Sequence, residues 1–276
     1  MRIHQLGEGT PEVAVVGAIH GDEPCGARAI ERIVADAPDV ERPVKLIVAN
    51  EEALELGVRY VDEDLNRAFP GDAEADTHEG RLAADLAREV RGCTTLAIHS
   101  TQSYPEPFAV VKSTDAVTRA VCPRLPVETV VETDAYTEGR LVQFPHVLEV
   151  EAGLQGSDRA AKNAFRLATA FLAATGVGGN PAGRGGTTVD AAADGGVEAA
   201  GRTSTVFRLS EPIPKPPAEE YEVFAENFRL VRAGEPFAAA DGEELLAEED
   251  FYPVLLSPYG YEDVFGYVAQ KVGRLE

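Results

Sequence analysis

Two histidines and one glutamate carry the strongest chemical signal in this sequence. His20 and Glu23 stand three apart in Gly17-Ala-Ile-His-Gly-Asp-Glu-Pro. The apolar run EVAVVGAIH (12 to 20) gives way there to a helical pattern, and at such a turn an imidazole and a carboxylate can converge on one cation. His99 closes a second apolar run, LAIHST, in a chain with only 5 histidines. Two histidines and a glutamate leave one position of a tetrahedral site open to water, as in a catalytic zinc rather than a closed structural one. Taken alone, His20 reads equally well as an incidental histidine in a surface turn; the second histidine at a strand end changes that balance. His4, His78 and His146 have no comparable setting and read as surface residues.

Water activated by a metal still needs a base to take its proton and return it to a leaving amine. VLEVEAG offers two, Glu149 and Glu151, which alternate by two along a strand and so project to one side. A solvated acidic face on an edge strand is the competing reading. Arg59-Tyr-Val-Asp-Glu-Asp-Leu-Asn-Arg supplies cationic groups to an acidic protein. Arg67 can take a carboxylate by a bidentate fork, Asn66 can fix its orientation, and Arg59 can polarise a carbonyl or stabilise an oxyanion. By itself such a segment is a surface loop; beside a metal site it becomes an anchor.

The elements that must position these groups follow from the apolar pattern. Runs at 12–20, 43–50, 94–101, 108–112 and 146–153 read as strands, and 25–37, 77–92 and 157–176 as helices, the last two opening on Thr77 and Ser157 as caps. The alternation predicts an α/β fold, a mainly parallel sheet flanked by helices. HGDE, NEEA, HSTQ and EAG end the strands in polar residues, and in open α/β sheets sites form beyond the carboxyl ends of strands. Residues 1–176 are expected to form a catalytic domain and 177–205, rich in Gly, Ala and Thr, a linker or loop. Short runs between Pro and Gly turns make 206–276 a small β-rich C-terminal domain.

Composition bounds the partners. Lys and Arg number 25 against 47 Asp and Glu, a formal net charge of −22. That field repels nucleic-acid phosphates and gives anionic substrates no help without a local cationic pocket. Such acidity suits a halophilic protein of a salt-rich cytoplasm and an acidic proteome, with an acidic mesophilic protein the alternative. No apolar stretch approaches the roughly 20 residues that span a bilayer, and the first residues lack a secretory pattern. A cytoplasmic protein without membrane contact is expected. Cys25, Cys93 and Cys122 form no CxxC pair and read as buried thiols.

Together GAIHGDE, RYVDEDLNR, AIHST and VLEVEAG, with YPVLLSPYGYE more weakly, resemble the succinylglutamate desuccinylase/aspartoacylase family, which is related to the zinc carboxypeptidases. The resemblance implies a carboxypeptidase-like fold and one zinc ion per chain on His20, Glu23 and His99. It implies a Glu-activated, metal-bound water that cleaves the amide of a small-molecule N-acyl amino acid. The family's Glu-x-Gly selects Glu151 as the base, although FPHVLEV aligns equally well with Glu149. Arg59 would act on the oxyanion, Asn66 and Arg67 on the substrate, Asp64 would orient the loop, and Tyr261 would contact the substrate carboxylate. A metallocarboxypeptidase or esterase-like hydrolase on the same scaffold is the alternative, and a non-catalytic binding protein is a third. Zinc is the expected metal, with cobalt or manganese able to substitute in vitro. Acyl group and oligomeric state, a homo-oligomer included, are not legible.

Overall fold

The computed structural model describes residues 1–134, 136, 138–178 and 203–276. The first half builds β1 (Arg2–Leu6), β2 (Val13–Gly17), α1 (Cys25–Asp36), β3 (Val44–Val48), α2 (Glu51–Leu56), α3 (Leu65–Ala68), α4 (His78–Glu89) and β4 (Thr94–Thr101). Then follow β5 (Phe108–Val111), α5 (Ala116–Val121), β6 (Thr129–Glu132), β7 (Val147–Leu154) and α6 (Asp158–Ala174). The last part supplies β8 (Ser204–Pro214), β9 (Tyr221–Val223), β10 (Pro236–Ala240), β11 (Glu243–Leu246), β12 (Tyr252–Val254) and β13 (Val264–Leu275).

Ten strands form one sheet in the order β1-β3-β2-β4-β7-β5-β6-β8-β13-β12, and β11-β10-β9 form a small antiparallel sheet. The centre β3-β2-β4-β7 is parallel, as are β5-β6 and β6-β8. The pairs β1-β3, β7-β5, β8-β13 and β13-β12 are antiparallel, so the expectation of a mainly parallel sheet is corrected to a mixed one. Connection length explains the difference. A parallel crossover needs a dozen or more residues, and 102–107 between β4 and β5 is too short to hold one. The expected linker 177–205 lies mostly outside the described residues; its start at Gly178 bridges back to Val40.

The central strands are largely buried on both faces, which is why their sequences are mostly apolar rather than alternating. Val13, Val15, Leu46 and Ile98 pack with Ile30 and Ile33 of α1 and Leu167 and Phe171 of α6. Ala14, Val16, Ile47 and Ala97 point the other way, onto Leu65 of α3 and Leu82 and Leu86 of α4. Thr77 and Ser157 cap α4 and α6 by accepting from the backbone N–H of Gly80 and Ala160. Gly17 and Gly26 let α1 sit directly on the end of β2: a Cβ on Gly17 would come within 2.5 Å of the Gly26 carbonyl carbon. Residues after β2 and β4 thereby meet at one edge of the sheet.

Candidate metal centre and substrate pocket

β2 stops at Gly17, and Ala18 turns into the left-handed region at φ 53. Hydrogen bonds from Ala49 N to Gly17 O and Asn50 N to Ala18 O fix this turn against the end of β3. His20 therefore leaves the sheet and faces Glu23 one turn on, while His99 reaches the same carboxylate from within β4. His20 Nδ1 lies 2.8 Å from Glu23 Oε1 and His99 Nδ1 lies 3.1 Å from Glu23 Oε2. All three side chains are buried. The ligand atoms of the three residues lie within 4.8 Å of one another.

Both ring nitrogens of His20 face carboxylates. Its Nε2 is 3.1 Å from Asp64 Oδ1, and a neutral imidazole that donates there presents the Nδ1 lone pair to Glu23. A lone pair facing a carboxylate oxygen at hydrogen-bond distance repels it unless a proton or a cation lies between them. Protein charges alone enforce protons: burial would lower the His99 pKa, yet the hydrogen bond and charge of Glu23 carry it up to about 9. Burial likewise pulls His20 down while Glu23 and Asp64 bring it above its ordinary value. Burial would raise Glu23, but the two imidazoles hold it well below the carboxylate range. His99 Nε2 has no hydrogen-bond partner. Two imidazoles and a carboxylate that demand positive charge between them, with one imidazole oriented by an outer carboxylate, fit a divalent cation of the zinc type.

Asp64 is the hub of the neighbouring loop. Besides His20 it accepts from Arg59 Nε and Nη2 at 3.2 and 3.0 Å, and from Asn66 N at 2.8 Å as the cap of α3. Arg59 also gives Nη1 to Glu23 Oε1 at 3.3 Å. The loop is held from behind by Glu79, wholly buried, which accepts from the backbone N–H groups of Val61, Asp62 and Glu63 and from Asn50 Nδ2.

His20, Glu23, Arg59, Asn66, Arg67, His99, Glu149, Glu151 and Tyr261, all named from sequence, line one cavity of about 690 Å³ including its mouth. Glu151 pairs with His99 across β7 and β4. Burial pushes its carboxyl up to about 7; His99 opposes that and the charges of Glu23 and Glu149 add to it. Its Oε2 has no hydrogen-bond partner. The Asn66 amide is largely committed, Oδ1 accepting from Leu141 N at 2.9 Å and Nδ2 facing Glu149 Oε1 at 3.4 Å.

Arg140 also lines the cavity and was missed in the sequence, where GRLV marks it only as an arginine off any helical face. It donates Nη2 to Tyr267 Oη at 3.0 Å, and Arg67 donates Nη1 to the Asn66 carbonyl at 2.7 Å. Burial, and then the positive charge of Arg140, hold the Arg67 pKa below its ordinary value. In a protein of net charge −22, neither guanidinium forms a salt bridge within 4.0 Å among the described residues. Burial pushes the Tyr261 hydroxyl beside them up to about 12.

Residues 9–102 match the family model described as the succinylglutamate desuccinylase/aspartoacylase catalytic domain. The match spans about a third of the chain. The matched region holds His20, Glu23, Arg59, Asn66, Arg67 and His99, while Glu149, Glu151 and Tyr261 lie beyond it. The succinylglutamate desuccinylase of Pseudomonas paraeruginosa is 35% identical over 104 residues, 32% of this chain and 31% of its own length. The N-acyl-aromatic-L-amino acid amidohydrolase (carboxylate-forming) of Xenopus tropicalis is 32% identical over 84 residues, 27% of each chain. The alignments thus span about a third of these relatives or less. The fold likeness extends further: the solved succinylglutamate desuccinylase/aspartoacylase from Rhodobacter sphaeroides superposes with a TM-score of 0.73 at 20% identity, covering 98% of this chain and 89% of that one. Among the described residues no helix is long and apolar enough to cross a membrane.

Proposed function

We propose that this chain is a zinc-dependent hydrolase that cleaves the amide bond of an N-acyl amino acid, in the cytoplasm. The observation that carries the reading is one cavity that unites a cation-demanding His20, Glu23, His99 cluster with two guanidiniums, Arg67 and Arg140, that form no salt bridge among the described residues. A zinc ion held by His20, Glu23 and His99 would supply Lewis acidity toward water and toward the scissile carbonyl.

The chain's own residues account for the rest. Arg67 and Arg140 receive the substrate carboxylate, which repays the repulsion between two buried cations. Arg59, anchored on Asp64 and Glu23, has N–H groups left to donate to the carbonyl oxygen as negative charge builds there. Glu151, with a pKa near neutrality and an unpartnered Oε2, takes a proton from the attacking water. The same carboxyl hands that proton to the departing nitrogen as the C–N bond breaks. The products are a carboxylate and a free amino acid. Tyr261 walls the cavity beside both arginines and favours a short substrate over a peptide running through an open groove.

The test is release of free amine from N-succinylglutamate, N-acetylaspartate, N-acetylglutamate and Nα-acetylornithine, before and after chelation and after zinc is restored. Turnover that chelation abolishes, zinc restores and Glu151→Gln lowers by at least a thousandfold is expected. Protein that binds no zinc, or activity indifferent to chelation, overturns the reading. Turnover confined to ester or peptide analogues would transfer it to the esterase or carboxypeptidase alternative.

A further inference from the structure

We propose that Glu149 sets substrate choice, making the pocket accept N-acyl amino acids whose side chain ends in a protonated amine and reject those that carry a second carboxylate. The inference rests on the preceding reading of the site. One carboxylate suffices as base, and Glu151 fills that role, so Glu149 is a buried acidic group in the same cavity with no step to perform.

Its surroundings are unlike those of the other buried carboxylates. Glu79 accepts four hydrogen bonds, and Glu132 accepts from Thr114 N and Oγ1 and pairs with Arg208 at 2.7 Å. Glu149, 6% exposed, receives one long bond, 3.4 Å from Asn66 Nδ2, and forms no ion pair within 4.0 Å among the described residues. A buried carboxylate left this far short of partners is costly unless something else completes it. Glu149 lines the cavity, so that partner can come from the ligand.

Charge decides what the partner is. Asn66 links the two regions, its Nδ2 reaching Glu149 and its carbonyl accepting from Arg67, so the space Glu149 faces adjoins the place where Arg67 and Arg140 would hold the substrate's α-carboxylate. A side chain leaving the same α-carbon passes close to Glu149. An ammonium there supplies the missing ion pair and hydrogen-bond donors, whereas a carboxylate meets a like charge in a desolvated site.

The test compares side chains of matched length: ornithine, glutamine and glutamate. Calorimetry measures binding of the free amino acids to the zinc-loaded protein, and kcat/KM is measured on their Nα-acetyl forms. Ornithine is expected to bind at least tenfold more tightly than glutamate, with the same order in kcat/KM, carried by KM. Glu149→Gln keeps the shape and an acceptor oxygen for Asn66, and is expected to shrink the ornithine-to-glutamate ratio at least tenfold; thermal melting checks that it folds. Wild-type protein that binds glutamate as well as ornithine overturns the inference without any variant, and so does a ratio unchanged by Glu149→Gln. Absence of zinc-dependent turnover on every substrate would instead defeat the hydrolase reading, while the binding order would still decide the role of Glu149.

Discussion

At the scale of single residues, the candidate metal cluster was legible because chemistry is written in residue types. Histidine is scarce here, and two of five sit at strand ends, so His20 and His99 stand out before any fold is known. Arg140 was not legible, because an arginine is ordinary in a loop and only tertiary packing brings it opposite Arg67. The choice between Glu149 and Glu151 was undecidable from a strand pattern that sends both to one side; in the fold Asn66 reaches Glu149 and Glu151 Oε2 has no hydrogen-bond partner, which supports the proposed role of Glu151. Asp64 gives this scale its sharpest prediction. By accepting from Nε2 it would hold His20 in the tautomer that presents Nδ1, and outer-sphere partners of this kind typically contribute 10–100-fold to metal affinity. Asp64→Asn can still accept at Oδ1 but loses the charge that favours His20 as ligand. Zinc affinity, measured by competition with a chromogenic chelator, is expected to fall about 10–100-fold. His20→Ala and His99→Ala are expected to abolish stoichiometric binding. Unchanged zinc affinity in Asp64→Asn would remove the tautomer argument.

At the scale of elements, the buried runs and the Thr77 and Ser157 caps were readable, whereas β1, α2 and α3 were not. β1 is an edge strand exposed at Arg2, Ile3 and Gln5, and α3 is a single turn held by Asp64 rather than by an apolar stripe. The loop between α2 and α3 has almost no regular structure; Glu79 of α4 shapes it. Burial would raise the Glu79 pKa, but the N–H groups of Val61, Asp62 and Glu63 and the Asn50 amide hold it below the usual range. A carboxyl lowered in the folded state contributes stability that is complete above its unfolded pKa of about 4.3. That contribution is lost as pH falls through the folded value. Glu79→Gln is therefore expected to cost about 1.5–3 kcal/mol at pH 7, the value of hydrogen bonds to a charged group. The two urea curves should converge as pH drops below about 4. A deficit constant from pH 7 to pH 3 would mean that Glu79 acts through shape alone. A second element-scale expectation concerns Gly21, where a Cβ would lie 2.1 Å from the Ala53 carbonyl carbon at the foot of α2. Gly21→Ala must push α2 away from the His20 turn, so loss of zinc binding should accompany a lowered Tm; a variant with normal zinc affinity would show that the turn can yield.

At the scale of the whole molecule, the two-sided burial of the central strands was readable as α/β, and the antiparallel members were not, because strand direction depends on connections rather than on the strands. The net charge of −22 acts over the entire surface and also on what approaches it. Like-charge repulsion destabilises a compact acidic protein, and salt relieves it as the Debye length shrinks from about 10 Å at 0.1 M to about 3 Å at 1 M. Sodium chloride is therefore expected to raise Tm by several degrees, at about 2–4 °C per kcal/mol for a chain of this size. A rise that continues into molar salt would support the salt-rich cytoplasm; one complete by a few tenths molar would reflect screening alone. The same field discriminates among substrates before they reach the pocket. Nα-acetylglutamate carries two negative charges and meets net repulsion, while Nα-acetylornithine pairs one carboxylate with one ammonium and meets almost none. Raising salt from 0.05 to 0.5 M should therefore increase kcat/KM several-fold for the acidic substrate and leave the ornithine derivative nearly flat, since steering falls steeply with ionic strength. Equal salt slopes for the two would mean that Arg67 and Arg140 dominate the potential at the mouth of the cavity, and that discrimination begins only where the side chain meets Glu149.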